Sequence, residues 1–191
     1  MTTSETRRSD ARRNHERVVR AAVEVFAELG LATTVPDVAD RAGVGKATVY
    51  RNFPSRDDLV AAVITHQLRW FVNMTRSALD NPDAAAAFRE LIAAWFDQIV
   101  LNRLAHDMLR TRSVTSADPQ IADLITAFEQ IVTRAQAANA LRSDVNTEDL
   151  RTLITGCAQR LAETGRQDED SRLLFRRLIL DALRPQHDHA P

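Results

Sequence analysis

The chain has 191 residues, 45% of them hydrophobic and 27% charged, with a formal net charge of −1. That length and balance suit a soluble globular protein with a sizeable core, and exclude both a disordered chain and an indiscriminately basic nucleic-acid binder. One cysteine excludes an intrachain disulfide, and no apolar run approaches the 18 or more residues of a membrane span, so a reducing cytoplasmic setting without a membrane partner is expected.

Charge is distributed unevenly. Residues 1–56 carry ten Lys/Arg against seven Asp/Glu, whereas the remainder carries fifteen against nineteen. A mildly basic head on an acidic body suits an N-terminal module that faces phosphate. Residues 1–13 are polar, lack apolar periodicity and cluster Arg7, Arg8, Arg12 and Arg13, which predicts a mobile basic arm. Such an arm is either a solvated tail or a functional one that adds sequence-independent phosphate attraction or places an Arg in an adjacent minor groove. From about Asn14 to Leu29 the period becomes helical, with Val18, Ala21, Ala22, Val25, Phe26 and Leu29 on one face and Gly30 closing it.

Residues 34–56, TVPDVADRAGVGKATVYRNFPSR, predict two short helices joined by a glycine turn. Thr34 and Asp37 have capping-box spacing, and Pro36 falls in the first turn, where its missing N–H is harmless. Val35, Val38, Ala39 and Ala42 give the first helix a narrow apolar face, and Gly43 follows as a left-handed terminator. The second helix, from about Gly45 to Phe53, turns Val49 and Phe53 inward and leaves Lys46, Thr48, Tyr50, Arg51 and Asn52 on its flanks and outer side. This is a helix-turn-helix pattern, and residues 14–56 form its domain.

Residues 17–59 resemble the DNA-binding domain of the TetR family of transcriptional repressors. AAVEVFAELG matches the first helix, TTVPDVADRAGV the second, and GKATVYRNFPSRDDL the recognition helix and its exit. The resemblance implies major-groove contacts from Gly45, Lys46, Ala47, Thr48, Tyr50, Arg51 and Asn52, with Thr33, Thr34 and Arg56 on phosphates. Two positions depart from the family pattern. Gly45 stands where a capping Ser is frequent, and Asn52 where a His is frequent.

Beyond Pro54 every strong period is helical. Ser55 caps a long helix from about Arg56 to Leu79, broken by Asn81-Pro82 and read as a rigid strut leaving the head. Further helices are predicted over 83–102, 103–112, about 118–140, from a Thr147 cap to Leu161, and about 170–183. The class is therefore all-α: a three-helix head and a C-terminal helical bundle over 57–184, about nine helices in all, with 185–191 a tail. The last helix carries Leu173, Leu174, Phe175, Leu178, Ile179, Leu180 and Leu183 almost all the way round, which requires burial on two fronts. It is either an interior helix or half of a dimer face. The resemblance favours a homodimer through Leu150, Leu153, Ile154, Cys157, Leu161, Leu174, Phe175, Leu178 and Leu183.

Sites for chemistry are sparse. GVGKAT is no phosphate loop, because Asp40 falls where the first glycine belongs and Ala47 where the hydroxyl belongs. There is no paired-cysteine, zinc-protease or nucleophile-elbow motif, so neither an enzyme, a metal nor a cofactor is expected. His187 and His189 are read as tail residues, and Cys157 as a small hydrophobe with redox sensing as the alternative. Trp70, Met74, Phe88, Trp95, Phe96, Ile99, Met108 and Phe128 are candidate lining for one apolar cavity, with Gln98, His106 and Arg110 as polar anchors. Plain core packing is the competing reading of each. The resemblance implies a small-molecule inducer in that cavity and release from a near-palindromic operator. The alternative function is an all-helical binding module whose hairpin reads no DNA.

Overall fold

The computed structural model describes residues 3–111 and 119–185, with side chains described for residues 13–108 and 119–185. Among the described residues there are nine α-helices and one short 3-10 turn, and no strand: α1 Thr3–Leu29, the turn Gly30–Ala32, α2 Val35–Ala42, α3 Lys46–Asn52, α4 Arg56–Asp80, α5 Ala84–Leu101, α6 Arg103–Thr111, α7 Pro119–Ala137, α8 Thr147–Glu163 and α9 Glu169–Ala182. None of these is long and apolar enough to cross a membrane.

The main departure from the expected boundaries is at the start. Residues 3–13 are not an arm but continue α1. Apolar periodicity, which marks only helices with a buried face, is blind to this stretch. The run from Thr3 to Leu29 contains neither Gly nor Pro and is rich in Ala, Arg and Glu, so nothing local stops the helix. At α8 the cap is Asn146, one residue earlier than expected, accepting from the N–H groups of Glu148 at 2.8 Å and Asp149 at 3.0 Å.

The chain divides into two compact units. The first gathers the described residues up to Gln67 together with Asn102–Asp107, so it takes in the first part of α4 and the start of α6 as well as the hairpin. Val18, Ala22 and Phe26 of α1, Val38 of α2, Val49 of α3 and Leu59 of α4 are fully buried there. The second unit gathers Leu68–Leu101 and the described residues from Met108. Its central element is α5, which packs against α7, α8 and α9 and buries Phe88, Leu91, Ile92, Phe96 and Ile99. Each such side chain removed from water contributes on the order of 1.5–3 kcal/mol before entropy is charged against it.

The most deeply buried helix of this unit is α5 and not α9, which buries only Ser171 and Ile179. Of the expected interface residues, Leu150, Ile154, Leu161 and Leu183 are 3% exposed or less, because they close the subunit's own core. They are withdrawn as interface residues. Leu173, Leu174 and Leu178 remain 47%, 37% and 51% exposed, and Leu153, Cys157 and Phe175 are half-buried beside that core. A cluster of three exposed leucines on one helix is an apolar surface of the kind that associating proteins cover.

Candidate nucleic-acid interface

The hairpin is held by local chemistry that the sequence spells out. Thr34 Oγ1 donates to Asp37 Oδ2 at 2.6 Å, and the Thr34 N–H donates to the same oxygen at 2.8 Å. With Asp37 N–H reaching back to Thr34 Oγ1, this completes the capping box at the start of α2. These donated hydrogen bonds hold the Asp37 carboxyl below the usual carboxylate range. Gly43 ends α2 at φ +62°, a left-handed conformation that a side chain would strain. Ala39, 1% exposed, lets α3 cross closely.

On α3 the inward side is Val49, fully buried, followed by Phe53 at 8% exposure. The outward side presents Lys46, Ala47, Tyr50 and Arg51, all exposed, with Tyr50 at 48%. Positions i, i+1, i+4 and i+5 form one continuous strip along a helix, so a cation, a small gap, a phenol and a guanidinium face solvent together. Thr48 is half-buried and its Oγ1 accepts from Arg51 Nη2 at 2.7 Å, which steadies that guanidinium on the strip.

Gly45 is the N-cap of α3, in an extended conformation and with no side-chain capping bond. A Cβ there meets nothing within 4 Å. Gly45→Ser is accordingly expected to stabilise the head by a few tenths of a kcal/mol, about 1 °C in melting temperature by calorimetry. A lower melting temperature would show that the hydroxyl does not reach the α3 amides.

Three expected contact residues have other work. Thr33 is fully buried and its hydroxyl donates to the Gly30 carbonyl at 2.8 Å, so it cannot reach a phosphate. Arg56 reaches back from α4 to the carbonyls of Leu31 at 2.5 Å and Thr33 at 3.2 Å, fastening the connection between α1 and α2. Asn52 is half-buried, and both ends of its amide are engaged within the head. Pattern matching missed Arg17, whose Nη2 donates to the Ala42 carbonyl at 2.8 Å and so closes the C-terminal end of α2. It also missed Asp107, whose carboxylate accepts from the Leu31 N–H at 2.9 Å across 76 residues of chain. Neither carries a local signal, since each bonds to backbone that only folding brings near.

In the second unit, the expected aromatic lining is partly assembled. Trp95 stacks on Phe128 with centroids 4.5 Å apart and meets the edge of Phe71 at 5.2 Å, which in turn meets Trp70 at 5.1 Å. Phe71, which was not among the candidates, is thus the ring that joins Trp70 to Trp95. The buried Trp95 Nε1–H has no hydrogen-bond partner among the described residues. Phe88, Phe96, Ile99 and Met108 are core, while Met74 and Gln98 are half-buried. His106 belongs to the first unit, with its Nδ1 3.5 Å from Asp107 Oδ1, and not to the aromatic set. Arg110, His187 and His189 lie outside the residues with described side chains. A groove of about 850 Å³ in the second unit takes only Phe88 from the candidate lining, its remaining walls including Arg89, Arg177 and Leu180. Burial pushes the Cys157 thiol above its ordinary value, which keeps it protonated and poorly nucleophilic.

A buried hairpin scaffold that exposes one polar, cationic helix strip defines an all-α helix-turn-helix protein. Residues 18–63 match the pattern of bacterial regulatory proteins of the tetR family, and residues 88–185 match the C-terminal domain of SbtR-like transcriptional regulators. The chain belongs to the TetR family. It is 31% identical over 161 residues to the transcriptional repressor KstR2 of Rhodococcus jostii, covering 81% of this chain and 69% of that one. It is 32% identical over 121 residues to the transcriptional activator FasR of Mycolicibacterium smegmatis, covering 60% and 53%. Among solved structures, the TetR regulator SCO0520 from Streptomyces coelicolor superposes with a TM-score of 0.63 at 28% identity, covering 91% of this chain and 99% of that one. The chain spans only about half the length of some curated relatives it matches.

Proposed function

We propose that the protein is a homodimeric transcriptional regulator that reads a near-palindromic DNA site with α3 and leaves it when a small apolar molecule binds its C-terminal unit. The observation that carries this reading is the solvent-facing strip of Lys46, Ala47, Tyr50 and Arg51 on a helix whose other side is locked by Val49 and Phe53. A helix of that width fits the major groove, and two copies related by a two-fold axis would meet half-sites one turn apart. Thr34, exposed at the start of α2, supports a phosphate contact. Repression is the favoured direction, as in KstR2, and the site of action would be the bacterial chromosome in the cytoplasm.

The ligand reading rests on Trp95. A buried indole N–H with no acceptor costs about 1–3 kcal/mol, and a bound molecule that supplies an acceptor oxygen removes that cost. Beside the Trp70, Phe71 and Phe128 rings, this favours an apolar ligand with at least one hydrogen-bond acceptor. Such a ligand weakens DNA binding only to the extent that it prefers the DNA-free state, typically about 5–150-fold.

Selection of bound fragments from genomic DNA tests the DNA reading, with a recovered palindromic sequence as the expected result. On that sequence Lys46→Ala is expected to weaken binding uniformly across base variants and to reduce the slope of log K against log salt by about one. Equal affinity for selected and random duplexes would defeat sequence-specific recognition.

A further inference from the structure

We infer that His15 is a positioning residue for DNA reading: it holds Asn52, and through it the recognition helix, by a hydrogen bond that requires a proton on Nδ1. This rests on the DNA-binding function proposed above and assigns a part to an α1 side chain outside the helix-turn-helix itself.

His15 Nδ1 lies 3.0 Å from Asn52 Oδ1, across 37 residues of chain. The other end of the same amide is committed, because Asn52 Nδ2 donates to the Thr48 carbonyl at 2.7 Å. An amide presents donors at one end and an acceptor at the other. With the donor end spent on Thr48, the end facing His15 is the acceptor, and the imidazole must supply the hydrogen. The ring is also held from the side, its centroid 5.6 Å from that of Phe53 at an interplanar angle of 31°. The chain of bonds therefore runs from α1 through Asn52 to the Thr48 backbone, and the Thr48 hydroxyl accepts from Arg51 on the outward strip.

A neutral imidazole carries its single N–H on either nitrogen, and only one of the two tautomers can donate to Asn52. The imidazolium always can. The bond to Asn52 therefore selects a ring that carries its hydrogen on Nδ1. The groups around it are Asn52 and Phe53 of α3, Glu16 and Arg20 of α1, and His66 of α4, the last three lining the shallow groove beside His15.

Two variants isolate the donor. His15→Phe keeps a ring against Phe53 and removes Nδ1; His15→Asn places an uncharged N–H₂ at the position of Nδ1. In the free protein, the Asn52 side-chain amide resonances are expected to move in His15→Phe and to stay near their unmutated positions in His15→Asn. On a duplex selected from genomic DNA, His15→Phe is expected to lose roughly 2–10-fold in affinity, the scale of one hydrogen bond. His15→Asn should stay within about twofold of the unmutated chain. Asn52→Ala should match His15→Phe, and the double variant should be no worse than either. The inference is overturned if His15→Phe keeps the affinity of the unmutated chain. It is equally overturned if the loss persists in full on the Asn52→Ala background, since the imidazole would then act on DNA directly. The resonance measurement needs no DNA, so failure of the latch is distinguishable from failure of DNA binding itself.

Discussion

Gly30→Val is expected to lower the stability of the N-terminal unit by about 3–7 kcal/mol, the sum of three separate costs. Gly30 sits at φ +63°, and a Cβ built on it would lie 2.1 Å from Asp107 Oδ2 and 2.6 Å from Arg103 Cγ. A β-branched residue forced to positive φ costs about 1–3 kcal/mol. Relief of the clash would push Asp107 away and sacrifice its 2.9 Å bond with the Leu31 N–H, a further ~1 kcal/mol. Displacing the packed Arg103 stem adds an overpacking cost of about 1–3 kcal/mol. Domains have only about 5–15 kcal/mol in reserve. Urea unfolding followed by circular dichroism should show an early transition for Gly30→Val. Gly30→Asn, which tolerates positive φ better, should fall between. An unchanged midpoint for the valine variant would mean that the turn between α1 and α2 can be rebuilt without the α6 contact.

Leu174→Arg combined with Leu178→Arg is expected to convert the protein to a folded monomer and to cut its affinity for a palindromic operator by about 10²–10⁴-fold, because linked binding of two heads is lost. The two side chains are one helical turn apart on α9 and are 37% and 51% exposed within the subunit, so a charged head at either position can reach solvent. Leu161→Arg makes the contrast. That side chain is 1% exposed in the core, and its replacement should unfold the subunit outright. Sedimentation velocity separates the two outcomes. A stable monomer of the unmutated chain at micromolar concentration would remove the dimer from the proposal.

The residues that define the hairpin acted locally, and for that reason they could be read in advance. Thr34, Pro36, Asp37 and Gly43 work within three or four positions of their partners, and a capping box or a left-handed terminator depends on nothing distant. Helix identity from α2 to α9 was legible in the same way, since a buried helical face imposes its own period on the chain. Periodicity could not report the first turns of α1, whose sequence carries no apolar period. Nor could it say which neighbour covers an apolar stripe. Leu150, Ile154 and Leu161 follow helical spacing as faithfully as Leu174 and Leu178, yet the first three close the subunit's core and the last two face out of it.

The polar residues divide along the same line. Lys46, Tyr50 and Arg51 face solvent as their positions on α3 require. Thr33, Arg56, Asn52, Arg17 and His15 took their partners from carbonyls and amides at separations of 3 to 37 residues, most of them on another element. A hydrogen-bonding side chain carries no mark of whether its partner is DNA, water or a backbone group of the same fold. Only the tertiary structure, by placing a carbonyl within 3 Å or leaving the space open, decides which polar side chains remain free to meet a nucleic acid.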